Sequence, residues 1–331
     1  MDIEKVSKAI TYLRKRSNLT QKDLADRLGI SDKAVSKWER GLSLPDVSLL
    51  GKLSIILDTD TDSLLSGDVV DHKQGWCGLL YLNKSTSNIP LNTIIFDKPL
   101  VYFLLGYFIL LGIKDIYVVS NEIDKKYIEE EFSNGNNLGI SIKAYDKNER
   151  KVLQSIRKKY TNSMVVLDKT FIYGVDQTRF FQRPMVTPDR VTVLSLPKRN
   201  SKNSRIHFNG DKKVVELENT EQIATQYDYY ELPVFYTPCE YVESIVKDEN
   251  YKDEFLYTEV LDRGFVEIPI YDYNDVNNAS TFVRIVEETC GMKIYCLEEM
   301  AWRRGLITYD EMRNLANNIK DKETKDYILS L

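Results

Sequence analysis

The chain of 331 residues is 43% hydrophobic and 29% charged, ordinary for a folded globular protein and long enough for two cores, so a disordered scaffold is excluded. A net charge of −5 excludes a protein that coats nucleic acid over its whole surface, so any polyanion must meet a local basic face. Cys77, Cys239, Cys290 and Cys296 form no CxxC pair and are joined by only His72 and His207, so reduced, buried thiols and no metal cluster are expected.

Residues 1–6 start a polar amphipathic helix and not a secretory leader, and the longest apolar stretch, 100–113, is broken by Gly106 and Gly112 and is too short to span a bilayer. A cytoplasmic protein with no membrane partner is expected. Val6, Ile10 and Leu13 recur at helical spacing and are followed by the basic run Arg14-Lys15-Arg16. A second helix is capped by Thr20, runs through Leu24, Ala25 and Leu28, and stops at Gly29, which tolerates a left-handed backbone. Ser31 caps a third. On that helix Ala34, Val35 and Trp38 share one face, while Lys33 and Lys37, four apart, share the opposite one. Residues 1–44 hold ten Lys/Arg against six Asp/Glu, a local excess of four that supplies the basic face.

The segment Leu19-Thr-Gln-Lys-Asp-Leu-Ala-Asp-Arg-Leu-Gly-Ile-Ser-Asp-Lys-Ala-Val-Ser-Lys-Trp-Glu-Arg-Gly resembles the phage-repressor and Cro-type helix-turn-helix family. The resemblance implies that the third helix enters the major groove of DNA. It implies a phosphate contact from Gln21 and base-edge contacts from Asp32, Lys33, Ser36 and Lys37, with Ala34, Val35 and Trp38 packing inward. With Ser31 and Arg40 near the ends of the helix, the candidate DNA-binding set is Gln21, Ser31, Asp32, Lys33, Ser36, Lys37 and Arg40. Lysine donates well to guanine acceptors or phosphate, and an aspartate can accept from cytosine.

A fourth helix follows Pro45 through Val47, Leu50, Leu53 and Ile56, and residues 61–65 make a short fifth. The DNA-binding domain is therefore placed at 1–67 and a polar linker at 68–75. From Trp76 short apolar runs alternate with helical stretches: a strand over 77–82, a helix over 99–111, a strand over 116–119, a helix over 123–132, a strand over 140–145, a helix through Val152 and Ile156, and a strand over 164–167. That alternation predicts a mostly parallel sheet covered on both faces.

This second segment resembles the sugar-phosphate nucleotidylyltransferases, most closely the glucose-1-phosphate thymidylyltransferases. The anchors are Phe96-Asp-Lys-Pro-Leu-Val-Tyr-Phe, Leu111-Gly-Ile-Lys-Asp-Ile, Val166-Leu-Asp-Lys-Thr-Phe-Ile-Tyr-Gly, and the tail from Ala279-Ser-Thr-Phe through Glu298-Glu-Met-Ala-Trp-Arg. The expected fold is thus an all-α helix-turn-helix domain of five helices, then a three-layer α/β, mostly parallel-sheet nucleotidyltransferase-like domain over 76–331. The family's glycine-rich loop is replaced by the stretch 83–92, and its metal-binding aspartate falls at Lys169, beside Asp168. Its Glu-Lys-Pro element falls at Glu218-Asn219-Thr220, and its second metal site falls near Glu267-Ile-Pro-Ile-Tyr271. Nucleotidyl transfer joins two polyanions and needs N–H groups, cations and carboxylate-held Mg²⁺ to neutralise charge at phosphorus. With those elements replaced together, the domain is expected to be catalytically inactive, with no catalytic residue, no metal and no cofactor. Asp168, Glu216, Glu218 and Glu267 read as solvated strand-end carboxylates, the alternative being a metal held in another arrangement. The positions matching the family's regulatory nucleotide-sugar site are retained: Tyr173, Gly174, Arg263, Gly264, Glu299, Met300 and Arg303. Arginine suits bidentate phosphate recognition and tyrosine can stack on a base.

These readings converge on a transcriptional regulator that binds double-stranded operator DNA, dimerises or forms a higher homo-oligomer, and senses a nucleotide sugar. The alternatives are an active nucleotidylyltransferase with an autoregulatory DNA-binding domain, and a DNA-bound scaffold that recruits protein partners.

Overall fold

Caps and turn residues set the first helices where the spacing puts them. In the computed structural model, which describes every residue except 1–2, 17–18, 58, 60, 68–74, 84, 147–148, 175, 198–204, 209–211, 219–228, 248–255, 262–263 and 320, α1 spans Ile3–Arg16, α2 Gln21–Leu28, α3 Asp32–Glu39, α4 Val47–Leu57 and α5 Thr61–Ser66. Thr20 and Asp23 form a reciprocal capping box at the start of α2, the Asp23 N–H donating to Thr20 Oγ1 at 3.1 Å and the Thr20 N–H to Asp23 Oδ2 at 2.8 Å. Gly29, at φ +75°, ends α2 in the left-handed conformation, and Ser31 Oγ accepts the Ala34 N–H at 3.3 Å to open α3. The inward faces of all five helices meet in one apolar core that includes Val6, Ile10, Leu13, Leu24, Val35, Trp38, Leu53 and Leu64. The chain divides into two compact units, Met1–Asp71 and His72–Leu331. Of the linker expected over 68–75, all but Gly75 lies outside the described residues.

The second unit continues with β1 (Trp76–Tyr81), β2 (Ile94–Ile95), β3 (Lys98–Pro99), α6 (Leu100–Leu110), β4 (Asp115–Val119), α7 (Glu122–Phe132), β5 (Ser141–Tyr145), α8 (Glu149–Lys159) and β6 (Asn162–Val166). Then follow β7 (Thr170–Gly174), α9 (Gln177–Gln182), β8 (Val191–Pro197), β9 (Arg205–Phe208), β10 (Val214–Glu218), β11 (Tyr229–Pro238), α10 (Val242–Lys247), β12 (Leu256–Val260) and β13 (Phe265–Pro269). The chain closes with α11 (Tyr273–Cys290), α12 (Leu297–Arg303), α13 (Tyr309–Ala316) and α14 (Lys322–Ser330). Seven strands run in the order β10-β9-β11-β6-β1-β4-β5, and β8, with β12 beyond it, joins the same sheet through β11. The β6-β1-β4-β5 part is parallel, with Gly78 facing Ile116 on one side and Met164 on the other. β11 runs antiparallel to β6.

Alternation along β1 shows why the sheet lies between two layers. Cys77, Leu79 and Tyr81 point into a cluster with Val152, Leu153 and Ile156 of α8 and Val242, Ile245 and Val246 of α10. Gly78, on the opposite face, lies so close to α6 that a Cβ there would sit 2.6 Å from the Phe108 ring. Every residue of β1 is buried, as expected for a parallel strand covered on both faces. Among the described residues no helix is long and apolar enough to cross a membrane.

Candidate functional sites

In the first unit, Ser31, Asp32, Lys33, Lys37 and Arg40 are exposed, and Ser36 and Gln21 are half-buried. Gln21, Asp32, Lys33, Ser36, Lys37 and Arg40 together line one open depression of about 400 Å³. Helical geometry brings positions 33, 36, 37 and 40 onto one surface, and α2 supplies Gln21 from the side. The surface is braced from behind. Arg14 of α1 pairs with Glu39 through Nε and through Nη2, the latter at 3.0 Å, and gives Nη1 to the Leu19 carbonyl at 2.7 Å. Gln21 Nε2 donates to the same carboxylate at 2.6 Å, so α1, α2 and α3 meet at Glu39. Burial pushes the Glu39 carboxyl upward, but the hydrogen bonds from Arg14 and Gln21 and the charges of Arg14 and Lys15 outweigh it and hold the group below its ordinary value. The resemblance that singled out Gln21 as a phosphate contact did not reveal this second role. Ser31 spends its hydroxyl on the α3 cap and is not among the residues lining the depression.

In the second unit, the stretch 83–92 that follows β1 runs over the carboxyl end of the parallel strands, where ligands bind in such sheets. Three side chains fasten it. Ser85 Oγ donates to Asp168 and accepts the Ser87 N–H at 3.1 Å. Buried Lys169 sends Nζ to the Ile89 carbonyl at 2.6 Å and to Asp124 Oδ2 at 3.4 Å. Asp124, buried in α7, accepts the Leu91 N–H at 2.9 Å. Glu267 accepts from Thr170 Oγ1 at 3.0 Å and from the Tyr230 hydroxyl at 3.1 Å, so this carboxylate is hydrogen-bonded and not merely solvated. Burial and the Glu267 charge push the Tyr230 phenol up, keeping it a donor. The side chains of Glu216 and Glu218 lie outside the described residues, and among the described ones no three His, Cys, Asp or Glu come together as a metal set.

The positions that the resemblance assigned to a regulatory site fall into two groups. Tyr173 and Gly174 end β7, and Gly174 pairs with Phe265, which puts Gly264 beside them at the start of β13. A Cβ on Gly174 would lie 2.5 Å from the Phe265 ring, which explains the glycine by packing. The Tyr173 ring stands edge-on to Phe282 at 5.7 Å, and burial, with the Cys290 and Glu287 charges, raises its phenol. Arg263 lies outside the described residues. Glu299, Met300 and Arg303 sit on α12, where Glu299 accepts from Arg303 Nε at 2.6 Å and from the Tyr327 hydroxyl of α14 at 2.7 Å. Two links tie this region to the start of α9: Arg304 Nη2 donates to Thr178 Oγ1 at 3.2 Å, and Gln177 donates to the Tyr295 hydroxyl. Tyr327 and Thr178 carry no signal in sequence, because each meets its partner across 28 or 126 residues.

Residues 10–64 match the Helix-turn-helix family model. The chain is 25% identical over 258 residues to the glucose-1-phosphate thymidylyltransferase of Neisseria meningitidis, an alignment that spans 72% of this chain and 90% of that protein. It is 26% identical over 259 residues to the glucose-1-phosphate thymidylyltransferase of Mycolicibacterium smegmatis, spanning 72% and 89%. A crystal structure from Bacillus anthracis, described as a glucose-1-phosphate thymidylyltransferase in complex with sucrose, superposes with a TM-score of 0.51 at 11% identity over 63% of this chain and 95% of that one. The chain therefore joins a helix-turn-helix domain to a glucose-1-phosphate thymidylyltransferase-like region with the nucleotidyltransferase-like fold, as the sequence resemblance implied. The expectation that the chain is no enzyme is corrected by these relatives, which carry an enzyme's name over nearly their whole length. The physical reason is that replaced signature residues remove one way of neutralising a polyanion. Charge at a transferring phosphorus responds to whatever cations and N–H groups surround it, so motif loss alone does not measure activity.

Proposed function

We infer that the protein is a sequence-specific DNA-binding regulator that reads operator DNA through α3 and couples that reading to a nucleotide-sugar ligand in its second unit. The observation that carries the reading is the single surface lined by Gln21, Asp32, Lys33, Ser36, Lys37 and Arg40, with Trp38 and Val35 anchoring the other side of α3 in the core. One such helix reads only a few base pairs, so useful affinity calls for a homodimer on a near-palindromic site with half-sites roughly 34 Å apart. A ligand controls DNA binding only if it has different affinity for the DNA-competent and incompetent arrangements. Tyr173, Gly174, Gly264, Glu299, Met300 and Arg303, with Arg263, form the proposed effector set. The test is duplex selection from a random pool, followed by anisotropy titrations with and without thymidine and uridine nucleotide sugars. A consensus whose affinity shifts with one nucleotide sugar supports the reading; no sequence preference refutes it.

The relatives' name favours a second reading, nucleotidyl transfer by the second unit. Release of pyrophosphate from thymidine triphosphate and glucose 1-phosphate with Mg²⁺ would establish it. Absence of release alongside ligand-dependent DNA binding would leave the regulator alone.

A further inference from the structure

The second unit has a net negative charge, 38 Asp/Glu against 34 Lys/Arg over 72–331. One of its helices runs against that balance. α8 carries Arg150, Lys151, Arg157, Lys158 and Lys159 with Glu149 as its one acidic residue, and all five cations are exposed while Val152, Leu153 and Ile156 turn into the core. Positions 150 and 157, and 151 and 158, are seven apart, so each pair stands on one line of the helix about 10 Å apart along its axis. Neighbouring acids offset only part of this charge. Lys159 pairs with Asp115 at 3.4 Å, and Glu243 of α10, itself paired with Lys247, lies near Arg150 and Arg157. Among the described residues Lys151, Arg157 and Lys158 form no ion pair.

We propose that the exposed basic face of α8 is a second DNA contact, a sequence-independent one that holds the phosphate backbone while the first unit reads bases. The inference rests on the reading that this chain binds DNA, and it selects duplex DNA over other polyanions because the covalent link to the first unit holds bound DNA at high local concentration. A spacing of about 10 Å matches roughly three steps of about 3.4 Å of axial rise along one strand, so the two cations of each line suit phosphates about three nucleotides apart. Such contacts release counterions, and each lowers the slope of log affinity against log salt by ~0.9.

The test compares the full-length protein with the triple variant Lys151→Gln, Arg157→Gln, Lys158→Gln, titrated against a 30-base-pair duplex of random sequence between 50 and 200 mM salt. The three positions are exposed, and an unchanged thermal midpoint verifies the fold. Three lost phosphate contacts make the slope shallower by about 2.7, so between these salt concentrations the wild type loses about 40-fold more affinity than the variant. An unchanged slope overturns the proposal. So does a variant that keeps its DNA slope but loses binding to phosphatidylserine vesicles, which would assign the face to a membrane. A parallel variant, Lys33→Ala with Lys37→Ala, separates the two readings: if it alone weakens duplex binding, the first unit binds DNA and α8 does not, and if the wild type binds no duplex both readings fall together.

Discussion

Replacing Glu39 by glutamine should loosen the first unit, because it removes the countercharge of a buried arginine. The Glu39 and Arg14 side chains are 7% and 11% exposed. Removing one partner of a buried pair costs ~3–5 kcal/mol. Here Arg14 keeps the Leu19 carbonyl, and the glutamine keeps one acceptor oxygen for Arg14, so the expected cost is about 2 kcal/mol. The readout is native-state hydrogen exchange in the full-length protein, followed in peptides covering 31–41, where about 2 kcal/mol accelerates exchange about 30-fold. The double variant Arg14→Met, Glu39→Leu should recover most of the protection, since well-packed apolar replacements of buried pairs are commonly near neutral. The Glu39 carboxyl titrates below its ordinary 4.5, so its stabilisation is complete above that value and fades as pH falls through the folded value. The gap between wild type and Glu39→Gln should therefore narrow in acid. Wild-type protection in Glu39→Gln at pH 7, or a double variant as unprotected as the single one, would refute the reasoning.

Lys33→Ala and Lys37→Ala should each weaken binding to a selected operator, by ~1–3 kcal/mol where the lysine reads a base, in anisotropy titrations at fixed salt. Tyr107→Phe should cost about 1–3 kcal/mol in urea unfolding of the second unit. The buried hydroxyl donates to the Thr170 carbonyl at 2.7 Å and accepts the Ile172 N–H at 2.8 Å, and both would lose their partner. Glu287→Gln should lower the thermal midpoint of the second unit. Its carboxylate meets Lys98 at 3.0 Å and Lys293 at 2.9 Å in a buried cluster completed by Asp97, and the loss leaves excess positive charge inside. Burial opposes the Lys293 charge, but Glu287 and Asp97 raise its ammonium above its ordinary 10.5, so that stabilisation is full at neutral pH and lost only as strong alkali deprotonates it. A midpoint difference between wild type and Glu287→Gln that vanishes already at pH 9 would contradict this assignment.

The helix-turn-helix unit was legible because its information is local: Thr20, Gly29 and Ser31 act within four residues of themselves, and the 3.6 period shows directly which side of α3 is buried. The elements β1, α6, β4, α7, β5, α8 and β6 were legible for the same reason, each apolar run matching an element within a few residues, while the two-residue strands β2 and β3 were too short to show. Strand order was not, because nothing in β11 announces that it pairs with β6, β8 and β9 at once. The antiparallel β7–β13 ribbon also escaped, since its partners lie some 95 residues apart and β13 is only a short Phe-Val-Glu-Ile-Pro run. Within the sites, helical spacing pointed to Lys33 and Lys37, and the family resemblance to Tyr173. The partners that fix their surroundings did not show: Arg14 reaches Glu39 across 25 residues, and Lys169 reaches Ile89 across 80.

Lys169 falls where the resemblance to the thymidylyltransferases leads one to expect an acidic residue, and its buried ammonium meets Asp124 of α7 at 3.4 Å. The two positions are consequently tied in heredity as well as in space. A change that set aspartate at 169 would enclose two carboxylates with no cation between them, at a cost of several kcal/mol, and would leave the Ile89 carbonyl without its ammonium donor. Related chains should show the residues at 124 and 169 changing in concert.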